Sequence, residues 1–182
     1  MVGFLVVTMI IGYEWFVSGL VKFVRGDFPS GLSAELATKA VGTVEWYRDF
    51  LKSVAIPHGV PFGYFIEASE LLGGVVLLGG PLIWLFAWDR VSDRIRSAVL
   101  LVTAAAAVGM TFLAINLHIA NGGSHPWVLP ASGFDEGIDL DSELPAIQVV
   151  VAVVCVVVFR RLRRTGARAM EPTSSPLKRG NP

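Results

Sequence analysis

Four runs of apolar residues, roughly 2–24, 62–88, 97–120 and 144–160, dominate this 182-residue chain. Each approaches or exceeds the ~20 residues that a helix needs to cross a bilayer at ~1.5 Å rise per residue. Within lipid every backbone polar group must find its partner inside the protein, which leaves helices or a closed barrel as the spanning forms. Runs of this length and apolarity predict helices. The expected fold is all-α, an integral membrane four-helix bundle, and hydrophobic residues at 53% against 16% charged fit that class. One membrane domain is expected over residues 1–164, with 165–182 as a polar, Pro-containing, disordered tail in the cytoplasm. The first run has no basic flank ahead of it and no small-residue cleavage pattern after it, so it reads as an uncleaved span.

Lysine and arginine set the expected orientation. Ten of the 15 lie in the connection between spans two and three (Arg90, Arg94, Arg96) and after span four (Arg160, Arg161, Arg163, Arg164, Arg168, Lys178, Arg179). These belong inside by the positive-inside rule, giving a multi-pass protein of the cell membrane with both termini cytoplasmic. Net charge is zero, and no basic surface points to nucleic acid.

The two outer connections differ. From Ser33 to Val54, Leu36, Ala40, Val44, Tyr47, Leu51 and Val54 recur at three- and four-residue spacing, which predicts one amphipathic helix lying over the bundle or on the membrane surface, with Ser33 as its N-cap and Glu35 in its first turn. The second, 121–143, is rich in Gly, Pro and acids and reads as a solvated loop. The fourth span is nearly all Val, which suits a lipid-facing helix with little chemistry.

Chemistry is sought where ionisable groups enter the spans, because each costs on the order of 3 kcal/mol at mid-helix. Glu14 lies in span one, and Glu67 and Glu70 lie in span two. Under this topology Glu14 sits ~12 Å below Lys22, Glu67 ~7 Å and Glu70 ~12 Å below the same surface, and Asn116 and His118 occupy the last turns of span three. Glu14, Ser18 and Lys22 fall at four-residue spacing, as one face would require. The depths agree, which predicts one polar pocket in the outer half of the bilayer with Asn116 inside it and His118 at its rim. Lys22 can serve there as a ligand or as a snorkelling anchor. No histidine pair has helical ligand spacing, so no metal site is expected. The single cysteine, Cys155, excludes an internal disulfide or a CxxC pair.

The stretch G-Y-E-W-F-V-S-G-L-V-K-F (12–23), followed by W-Y-R-D-F-L, I-P-H-G-V-P-F-G-Y-F-I-E-A-S-E-L and E-L-L-G-G-V-V-L-L-G, resembles the DoxX family of small four-helix membrane proteins. The likeness is greatest to the branch with the DoxD-type large subunit of thiosulfate:quinone oxidoreductase, and it covers about residues 3 to 160. It implies membrane redox chemistry with quinone as electron acceptor and a thiosulfate or thiol-linked donor, with Gly19, Lys22, Glu70, Gly74 and Gly79 at matching positions. On that expectation Glu14, Glu70 and Glu67 relay protons and Lys22, Ser18, Asn116 and His118 hold carbonyl oxygens or an anionic substrate. Trp15, Phe16 and Tyr64 would supply ring contact. Expected partners are the lipid bilayer, quinone, and a soluble redox partner or second subunit. Two other readings stand beside it: a non-catalytic scaffold for a soluble redox enzyme, and a small proton-coupled carrier.

Overall fold

The structure, a computed structural model, describes residues 2–121 and 140–169. It is all-α: α1 (Val2–Arg25), α2 (Phe28–Lys39), α3 (Glu45–Phe50), which runs on as a π-helical turn (Leu51–Ala55), α4 (Gly59–Phe86), α5 (Asp93–Ala120) and α6 (Leu140–Ala169). Four helices are long and apolar enough to cross a membrane: α1, α4, α5 and the Glu143–Thr165 part of α6. The protein is thus a multi-pass membrane bundle. Residues 122–139 of the acidic connection and 170–182 of the tail lie outside the described residues; α6 starts at Leu140, inside the expected connection, and stays helical to Ala169, past the expected start of the tail.

Bundle helices in lipid gain nothing from hiding apolar surface, so close packing depends on small residues at the contact. Glycines supply it between α1 and α4. A Cβ at Gly12 would lie 2.7 Å from the Leu78 nitrogen, one at Gly19 would lie 2.6 Å from the Leu71 nitrogen, and one at Gly74 would strike the Phe16 backbone. The two antiparallel helices therefore touch backbone to backbone over two turns or more. α6 packs just as extensively on α5, burying Leu144, Gln148, Val151, Ala152 and Cys155. The expectation that the Val-rich fourth span faces lipid with little chemistry holds only for its outer side, where Val149, Val150, Val153 and Val157 are exposed.

The 33–54 segment is not one helix. α1 ends at Gly26, whose φ of +71° is the left-handed turn that glycine adopts freely, with its N–H bonded back to the Lys22 carbonyl. α2 starts at once, with Pro29 in its first turn, and leans on the first turns of α4, where Pro29 abuts Gly63 and Ser33 abuts Gly59. Ser33 is therefore mid-helix and not an N-cap; its hydroxyl donates to the Ile56 carbonyl at 2.8 Å. The chain then breaks at 41–44, and α3 lies over the end of α5. Helices leave their last carbonyls unpaired. Thr43 donates to the Ile119 carbonyl at 2.6 Å, and Tyr47 Oη donates towards the Asn116 carbonyl and its Oδ1, each at 3.1 Å. A single amphipathic helix could not do both jobs, because the stripe would face only one partner. The end closed by α2 and α3 is called the capped end below.

Two predictions follow from these contacts. Gly12→Ala or Gly19→Ala should destabilise the bundle by about 1–3 kcal/mol through overpacking, whereas Gly79→Ala, with open space around it, should leave thermal stability in detergent unchanged or slightly raised. Burial pushes the Tyr47 phenol above its ordinary 10.0. The neutral form is favoured in the folded cap, so that stabilisation is complete below the ordinary value and is lost as pH rises through the higher folded value. Hydrogen exchange of residues 40–55 should accelerate in that alkaline range, and Tyr47→Phe should abolish the pH dependence while weakening the cap by about 1 kcal/mol.

Candidate functional site

The tight α1–α4 contact decides which polar groups meet. Where Gly19 lies on the Leu71 backbone, the side chains of its neighbour Ser18 and of Lys22, one turn on, are brought against Glu70. Lys22 Nζ donates to both carboxylate oxygens of Glu70. Ser18 Oγ donates to Glu70 Oε2 at 2.9 Å and accepts from Lys22 Nζ at 3.1 Å, closing a three-membered polar cluster. Glu70 is 0% exposed. The Lys22 ammonium also stands 4.9 Å from the centre of the Phe28 ring, a cation–π contact.

A charge taken out of water is tolerated only with a partner and with its remaining lone pairs engaged. Glu70 has both. Lys22 is reached from outside through a pocket of about 550 Å³ between α1 and α2, lined among others by Val17, Ser18, Val21, Lys22, Arg25 and Phe28. The buried carboxylate thus stands behind an ammonium that faces an opening whose walls mix Val17, Val21 and Phe28 with the charged Arg25, Asp27 and Glu35. A second pocket of equal volume, formed by Val54, His58, Pro61, Phe62 and Phe65, has no ion pair; His58 Nδ1 lies 2.9 Å from the Val54 carbonyl.

No protein-family model, curated protein or solved structure matches this chain. The geometry alone bears on what the site does.

The structure gathers Ser18, Lys22 and Glu70 and places the other expected site residues apart from them. Glu14 is exposed and has no ion pair or side-chain hydrogen bond among the described residues. Helical drift explains this: at 100° per residue, Glu14 lies about 80° round from Lys22 and about 100° from buried Trp15, on the edge of the helix that faces away. Tyr64 is likewise exposed, at the start of α4. Trp15 is buried in the bundle core, where its Nε1 has no partner among the described residues. Asn116 is engaged by the cap, its Nδ2 donating to the Phe112 carbonyl at 2.7 Å and its Oδ1 accepting from Tyr47. His118 is half-buried with an unpartnered Nε2. Glu67, one turn from Glu70 towards the capped end, is 6% exposed with Oε2 unpartnered. Among the described residues no group of three or more His, Cys, Asp or Glu side chains is arranged to hold a metal.

Two residues that sequence reasoning passed over belong with this polar set. Tyr47 looked like one more apolar member of a stripe. Gln148 was hidden in I-Q-V-V-V, although a polar amide inside a span is as informative as a carboxylate; it is 0% exposed and neither its Nε2 nor its Oε1 has a partner.

Removing one partner of the ion pair leaves the other as an uncompensated buried charge. Lys22→Met should therefore destabilise the protein by about 3–5 kcal/mol, and the Lys22→Met/Glu70→Met double variant should recover most of that loss. Thermal unfolding of the four members of this cycle in detergent measures the coupling.

Proposed function

We propose that this protein is a quinone-linked membrane redox protein of DoxX-like type, with the pocket between α1 and α2 as its quinone headgroup site. The observation that supports the reading is the Lys22–Ser18–Glu70 cluster, a charge-balanced group with a buried carboxylate, beside an opening that Val17, Val21 and Phe28 share with charged side chains. A volume of about 550 Å³ falls within the range of small-ligand sites. Two-electron reduction of a quinone consumes two protons, one at each carbonyl oxygen. Lys22 supplies a hydrogen bond to one carbonyl, with Phe28, Val17 and Val21 against the ring. Glu70 and Ser18 hold the ammonium in position and exchange its proton. Electrons come from a thiosulfate- or thiol-type donor or a redox partner protein, since the chain's one thiol, Cys155, is buried among apolar residues. The positive-inside bias supports a mouth on the outer face of the cell membrane, with both termini in the cytoplasm.

The test is purification in mild detergent followed by extraction of bound lipids. The wild type should carry quinone, and Lys22→Met should lose it. In proteoliposomes containing quinone and a reducing donor, Glu70→Gln should lower quinone reduction at least tenfold, within the range expected for loss of a positioned acid–base group. A wild-type protein without quinone but with a stoichiometric soluble partner would replace this reading with the scaffold one.

A further inference from the structure

Four residues, one from each spanning helix, fix the layering of the bundle: Thr8, Gly80, Thr103 and Cys155 line one small cavity. Seven residues along a helix is nearly two full turns, so it returns to the same face ~10.5 Å further on. Seven residues towards the capped end lie Trp15 on α1, Gly73 on α4, Met110 on α5 and Gln148 on α6. The α4–α5 pair of this next layer is seen directly, because a Cβ at Gly73 would strike the Met110 sulfur. Trp15 (5% exposed) and Gln148 (0%) are therefore at one level, about 15 Å in from Arg25 and near the middle of α1.

Both bring polar atoms into that layer without partners: Trp15 Nε1, and Gln148 Nε2 and Oε1. Each buried unpaired group costs about 1–3 kcal/mol, and buried polar groups left over by the protein are as a rule satisfied by ordered water. The layers on either side differ. Towards the capped end come Ser18 and Glu70, then Lys22 and Glu67. In the other direction, one turn away, come Ile11, Leu77, Ala107 and Val151, all buried and all apolar.

We propose that Trp15 and Gln148 bind water at the middle of the bundle, one layer in from the Ser18–Glu70 pair and bounded beyond by the Ile11–Leu77–Ala107–Val151 layer. The indole N–H donates to the water, and the Gln148 amide both donates and accepts, so an uncharged molecule able to do both is the matching ligand. The site stands whether or not the mouth binds quinone.

The experiment is NMR of indole-¹⁵N-labelled full-length protein in detergent micelles, with the Trp15 signal assigned by its disappearance in Trp15→Phe. The expected result is a cross-peak between the Trp15 indole proton and water that Gln148→Leu removes, while the Trp84 and Trp88 indole signals stay in place as a check on folding. A Trp15 indole without a water cross-peak, in a sample where exposed Trp46 shows one, overturns the proposal. So does a cross-peak that persists undiminished in folded Gln148→Leu.

Discussion

The backbone contact of α1 with α4 is the constraint on which the rest of the bundle depends. Lipid offers these helices no hydrophobic reason to associate, so Gly12, Gly19 and Gly74 stand in for it by letting dispersion contacts and polar pairs form at short range. The same contact fixes register. Once Gly19 lies on Leu71, Ser18 and Lys22 have Glu70 within hydrogen-bonding reach, and no other carboxylate on α4 is at that height with that orientation. The packing and the site are one arrangement, for a longer residue at position 19 would hold the helices apart and part the ion pair.

A buried ion pair is weak evidence for stability, since well-packed apolar residues of the same volume often serve as well. Glu70 is fully enclosed, while Lys22 keeps a path to the pocket beside Phe28. That asymmetry leaves one partner inaccessible and the other open to the pocket. The cap reinforces it. α2 follows directly from Gly26 and rests on Gly59 and Gly63 of α4, so the wall of the pocket is tied to both helices that make its floor.

The spans were legible in the sequence because bilayer thickness translates directly into run length, and the bounds of α1, α4 and α5 differ from the apolar runs by only a few residues, whereas α6 runs on through its arginines to Ala169. Lys22, Ser18 and Glu70 were legible because topology plus rise per residue gives depth. Depth alone does not give azimuth, and there Glu14 was misplaced: a ladder at four-residue spacing drifts about 40° per step, enough over two steps to carry Glu14 off the buried face. That Asn116 goes to the cap was hidden because Tyr47 was read as one apolar member of a continuous stripe and its hydroxyl was not considered. The break at 41–44 has no Pro or Gly-Gly to announce it, only Gly42 and the demand of α5 for partners at its open carbonyls. Gln148 was obscured by the valines around it.

The two halves of the bundle interior differ in kind, and the difference follows from which residues occupy successive turns. From the capped end inward the layers carry Lys22 and Glu67, then Ser18 and Glu70, then Trp15 and Gln148. The next holds Ile11, Leu77, Ala107 and Val151, where no side chain can hydrogen-bond. Thr8, in the layer beyond, turns its hydroxyl back to the Phe4 carbonyl within its own helix, contributing nothing across the bundle. A polar path running the full length would short-circuit a membrane gradient, whereas an entirely apolar interior could not hold Glu70. Polarity on one side and closure on the other satisfies both conditions.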